Sequence, residues 1–160
     1  MPHIPENTDL NSWHRYFAME ANNRAWELAV LDRSSSGDLE MLSAAHAAAL
    51  HWQALGSELN IMRAKMLLAE VHALLGIPSS YELANEVLAY FDNPHTPDWE
   101  IAFAHTIHAH AAHAIGDGNA HANSYSNASN ALGVISADED RAIVMKTFSL
   151  VPVPENPVDA

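Results

Sequence analysis

A chain of 160 residues with twenty acidic and seven basic side chains carries a formal charge of −13. That excludes a nucleic-acid surface and an anionic membrane surface, which both need clustered Lys and Arg. With 49% hydrophobic and 17% charged residues the chain is globular and of single-domain length, and the lack of cysteine excludes disulfides, thiolate metal sites and thiol nucleophiles.

Caps and breakers divide the chain into helices. The first is expected from Leu10 to Leu31, capped by Thr8 or Asp9 and stopped before Ser34-Ser35-Ser36-Gly37. The second runs from Leu39 to Ala54, with Gly56 placed for a left-handed turn. Ser57 caps a third, which ends at Gly76-Ile77-Pro78. Ser79 and Glu82 have capping-box spacing for a fourth, ending near Phe91. Pro97 opens a fifth at the first helical position, with Asp98 and Glu100 where the helix dipole favours anions, and Gly116-Asp117-Gly118 closes it. A sixth spans Asn119 to Leu132 and stops at Gly133. Ser136 and Glu139 open a seventh, ending near Phe148.

The prolines at 152, 154 and 157 forbid helix and central strand, so residues 151–160 form an extended Pro-rich tail, loose or strapped over the helices. Residues 1–150 then form a single helical domain. No strand-like alternation occurs, so the fold class is all-α with six or seven helices, and the short loops make consecutive helices antiparallel. The first six residues are neither basic nor apolar, and no window reaches the ~18 apolar residues of a membrane span. A cytoplasmic location is therefore expected.

The third and fifth helices are apolar nearly all round, which marks central helices touched from several directions. Here the sequence resembles tetratricopeptide-type helical repeats. The stretch His72-Ala73-Leu74-Leu75-Gly76 followed by Tyr81-Glu82-Leu83-Ala84 is similar to that family's helix, turn and second helix, and His113 to Ala128 with its turn at Gly116-Asp117 is closer still. Ala69 and Ala109 stand seven residues before the turn glycines, where the family has a small residue. Tyr125 and Ala128 match bulky and small positions of the second helix, and Pro94 a terminal proline. The likeness covers Ser57 to Leu132. Pair starts at Leu10, Ser57, Asp98 and Ala137 are 47, 41 and 39 residues apart, longer than the ~34 of the family. Lys65 and His105 stand where its first helix opens with an aromatic, and His121 where it has Ala. The chain is also similar to a group of bacterial proteins of this size, a likeness that carries no function.

The resemblance implies a right-handed superhelix whose first helices line a concave groove. Aligned on Gly76 and Gly116, the groove positions are Arg63, Met66, Glu70, Thr106, His110 and His113, a set suited to a small polar ligand or a peptide. Equally, Arg63 and Glu70 could form a structural ion pair. The Asn and Lys pattern of the family's carboxylate-clamping peptide binders is absent.

Eleven histidines are the oddest feature of the composition. His105 with His108, and His110 with His113, each lie about 60° apart on the fifth helix, so each pair could give two metal ligands. No Glu-x-x-His or His-Glu-x-x-His accompanies them, and no metal or cofactor is assigned. His105 and His108 read instead as core or groove residues, and His46, His72, His105 and His108 as candidates for burial in the neutral form. On the sixth helix Asn119, Asn123, Asn127 and Asn130 make a solvated or partner-facing amide stripe, opposite His121, Tyr125, Ala128 and Leu132. Trp13, Tyr16, Phe17, Trp26 and Trp52 suggest a core or an aromatic interface. No phosphate loop, nucleophile elbow or triad spacing occurs. The reading is a binding or scaffold module, using the groove or the aromatic amino-terminal face, with a protein or peptide partner or a second copy of itself. Any charged partner is expected to be cationic. A His-dependent metal protein or metalloenzyme is the alternative.

Overall fold

The computed structural model describes residues 3–4 and 9–155. Among these the fold is all-helical: α1 Leu10–Ala29, α2 Ser35–Leu55, α3 Glu58–Leu74, α4 Ser79–Phe91, α5 Asp98–Ala114, α6 Gly118–Val134 and α7 Asp138–Phe148. No described helix is long and apolar enough to cross a membrane.

Helix ends follow local chemistry, with corrections. Asp9 caps α1 by accepting from the Ser12 N–H at 2.9 Å; the alternative cap, Thr8, lies outside the described residues. α2 begins four residues before the expected Leu39, because Ser34 caps it and Ser35-Ser36-Gly37 form its first turn. The expected capping boxes are not made. Pro78 already has helical angles, so Ser79 is inside α4 and its hydroxyl pairs with His72 Nδ1 at 2.9 Å. α7 starts at Asp138, with Ala137 rather than Ser136 at the cap, and three acids in its first turn favour the dipole. Pro97 stands one residue ahead of the helix rather than at its first position. Gly133 does not stop α6, which continues to Val134 while Ile135 is buried beyond it and Arg141 donates to the Ile135 carbonyl. Gly76 and Gly116 take φ of +66° and +79°, and the N–H groups of Ile77 and Asp117 return to the carbonyls of His72 and Ala112. α3 and α5 therefore end in the same six-to-one hydrogen-bonded turn.

Each of α1–α2, α3–α4 and α5–α6 packs as a hairpin, while α1, α3, α5 and α7 touch in succession. α3 meets α1, α2, α4 and α5; α5 meets α3, α4, α6 and α7. Their faces are therefore buried nearly all round, as the apolar patterning predicts. One core cluster joins α1, α2 and α3 around Met41, Leu67 and Val71. A second gathers Phe91, Phe103, Ile107, Leu132 and Val144, and Trp26 borders both. Beyond α7 the chain is non-helical to Glu155. Val151 is buried and the Pro152 carbonyl accepts from His121 Nε2 at 2.8 Å, which straps the described part of the tail onto α6.

Candidate functional site

A cavity of about 640 Å³ opens where the carboxyl-terminal half of α1, the amino-terminal halves of α3 and α5, and the end of α7 converge. Each wall is a helical face read at three- or four-residue intervals. α1 gives Asn22 and Trp26, α3 gives Asn60, Arg63 and Met66, α5 gives Trp99 and Phe103, and α7 gives Ile143, Lys146 and Thr147. Trp52 enters from α2, so three of the four tryptophans face this space. Trp26 meets Phe103 edge to face, centroids 5.1 Å apart, which fixes both rings.

One polar pair in the wall is as fixed as the rings. Arg63 Nε donates to Glu100 Oε1 at 2.5 Å, and its guanidinium carbon stands 5.6 Å from the Trp99 ring centroid. The Glu100 side chain is only 3% exposed, so this pair ties α3 to α5 at the cavity wall. Glu27, also in the lining, accepts from Arg24 Nη1 at 2.8 Å.

Two of the six groove positions expected from the sequence, Arg63 and Met66, line this cavity. Glu70 and His110 lie deeper on the same two helices and face each other, Glu70 Oε1 to His110 Nδ1 at 2.9 Å, both buried. Burial works to lower the His110 pKa, but the charge of Glu70 and its hydrogen bond more than reverse this, leaving it above the ordinary imidazole value. Thr106 is buried and donates to the Ala102 carbonyl at 2.8 Å. His113 is exposed, with its ring 5.0 Å from that of His121. Arg63 and Glu70 do not pair; each takes its partner from α5. The sequence alignment missed Phe103, which stands where Arg63 does relative to the turn glycine. It also missed Trp99, Glu100 and all of α7. The four-residue spacing of Trp99 and Phe103 was the available signal.

No histidine lines the cavity, and among the described residues no group of three or more His, Asp or Glu is placed to hold a metal ion. His108 is buried and bonded to Ser124 at 2.7 Å and Asn85 at 2.9 Å. Burial lowers its pKa and those of His72 and His105. His46, expected among the buried ones, is exposed because its side of α2 faces solvent. Asn119, Asn123, Asn127 and Asn130 are all exposed on α6. At the amino-terminal face Trp13 stacks on Phe17 at 5.6 Å, and His14 Nδ1 meets His51 Nδ1 at 2.8 Å. These four side chains stand apart from the cavity lining.

No protein-family model, curated protein or solved structure matches this chain.

Proposed function

We propose that this protein is a binding module rather than an enzyme. In this reading it is a tetratricopeptide-like stack of helical hairpins that receives a small, flat, apolar-bodied molecule in its concave face. The observation that carries the reading is the convergence of Trp26, Trp52, Trp99 and Phe103 on one cavity of about 640 Å³. That volume falls in the range of small-molecule sites, and rigid rings present a large contact area at little entropic cost. Trp52 enters from α2, and most of the remaining wall comes from α1, α3, α5 and α7, the first helix of each hairpin and the unpaired last one, as a tetratricopeptide-like stack would have it. Ala69 and Ala109 are both fully buried, which fits small residues serving close helix approach. Binding is favoured over chemistry because the two acids of the lining, Glu27 and Glu100, are each engaged by an arginine, and the buried His110–Glu70 pair does not reach the cavity.

The test uses neutral bicyclic aromatics, indole and 2-naphthalenemethanol, titrated by ligand-detected NMR. Saturable binding with Kd below about 1 mM is expected. Asn60→Trp, which places an indole inside the cavity, should weaken it at least tenfold while the fold is retained. Absence of saturable binding, or binding indifferent to Asn60→Trp, refutes the proposal.

A further inference from the structure

The cavity does not share the acidic excess of the chain: its two acids, Glu27 and Glu100, are balanced by two bases. Acidic residues outnumber basic ones twenty to seven overall, yet Arg63 and Lys146 both line this one space. Each of its carboxylates already has an arginine partner. The cations are not. Arg63 bonds Glu100 through Nε alone, and neither of its Nη groups has a hydrogen-bond partner among the described residues. Lys146 has no hydrogen-bond or ion-pair partner among them either.

Glu100 grips the Nε side of the guanidinium and Trp99 lies within cation–π range of it. The remaining Nη1–Nη2 edge is thus held in one orientation and left open. A planar fork of this kind takes a carboxylate through two parallel N–H···O bonds. A cationic ligand has a weaker seat: Glu100 is 3% exposed and reaching it means displacing Arg63, and Glu27, 62% exposed, already shares its charge with Arg24 in solvent. A neutral ligand leaves the fork and Lys146 to water.

We propose that the ligand of this cavity is an aromatic carboxylate, its ring system among Trp26, Trp52 and Phe103 and its carboxylate on the open edge of Arg63, with Lys146 adding long-range attraction. This inference rests on the cavity being a ligand site. It gives the protein a selectivity opposite to that of its acidic surface, which repels anions in general.

The experiment compares three probes of one shape by calorimetry: 2-naphthoate, 2-naphthalenemethanol and 2-naphthylmethylammonium. Naphthoate should bind at least about tenfold more tightly than the alcohol, as a charge-assisted bidentate contact warrants, and the ammonium most weakly. Arg63→Gln/Glu100→Gln, which removes both members of the ion pair and leaves no buried charge alone, should bring naphthoate and alcohol to about equal affinity while keeping the alcohol bound. Lys146→Gln, at an exposed position, should reduce the preference by about two- to threefold. Raising salt from 0.05 to 0.5 M should weaken naphthoate relative to the alcohol. Equal binding of naphthoate and alcohol by the unaltered protein, or an ammonium that binds tightest, overturns the carboxylate assignment and leaves the cavity as a binding site. A preference that survives in the double variant overturns Arg63 as its source. If none of the three binds, the small-molecule reading of the cavity falls as well.

Discussion

Replacing Glu70 by Gln tests the interaction that joins the two central helices. Glu70 is completely buried and its side chain meets His110, itself 8% exposed, at 2.9 Å. Gln has almost the same shape, so packing is preserved and what disappears is the negative charge. A hydrogen bond to a charged partner contributes about 1.5–3 kcal/mol and a neutral one about 0.5–1.5. Losing a buried partner outright costs about 3–5. Because Gln keeps a hydrogen bond, the expected loss is about 2 kcal/mol at pH 6. The folded His110 pKa is raised above the unfolded value of about 6.5. Its stabilisation is therefore fully present below that value and is lost as pH rises through the folded one. The cost of Glu70→Gln should accordingly shrink as pH rises from 6 toward 8.5. Urea unfolding followed by tryptophan fluorescence measures this. With a slope of about 2 kcal/mol per molar urea, the midpoint should drop by about 1 M at pH 6 and by clearly less at pH 8.5. Titrations of the other histidines cancel in the difference between variants. A double-mutant cycle with His110→Gln should give a coupling of about 1–2 kcal/mol at pH 6. Equal drops at both pH values, or a coupling near zero, would refute the assignment of His110 as the protonated partner of Glu70.

Burial is the main cause that lowers the pKa of His51, His72, His105, His108 and His121, so these side chains favour the folded state while neutral. That contribution is present above about pH 6.5 and is lost as pH falls through their folded values. The urea midpoint in about 0.15 M salt should be lower at pH 5.5 than at pH 7.5, His110 offsetting only part of the loss; an unchanged or higher midpoint would contradict this. Arg33 closes the end of α1 by donating through Nη1 to the carbonyls of Leu28, Ala29 and Leu31 while its Nε pairs with Asp38 at 2.8 Å. Arg33→Ala strips the partly buried ones among these carbonyls of their donor and should cost about 1–3 kcal/mol, read as faster amide exchange at the α1–α2 junction.

Local chemistry was legible in the residues themselves. Asp9 caps, Gly56, Gly76 and Gly116 adopt the left-handed turn, and the all-round apolar patterning of α3 and α5 marks them as central, because each depends on a few neighbouring residues or on one helix's periodicity. Where a local signal failed, a competing contact had taken the residue. Ser79 was drawn to His72 instead of capping α4, and α6 ran past Gly133 because Ile135 had a core to enter. Partner choice was beyond the sequence. Arg63 and Glu70 share one helix and look like a pair, yet each bonds across 37 and 40 residues to Glu100 and His110. The stagger of α5 against α3 sets those distances, and stagger is fixed by how side chains interdigitate between helices, a property of two surfaces that neither strand of sequence contains alone. The cavity arises the same way. Its tryptophans come from α1, α2 and α5 and its fourth side from α7, so no single helix carries it.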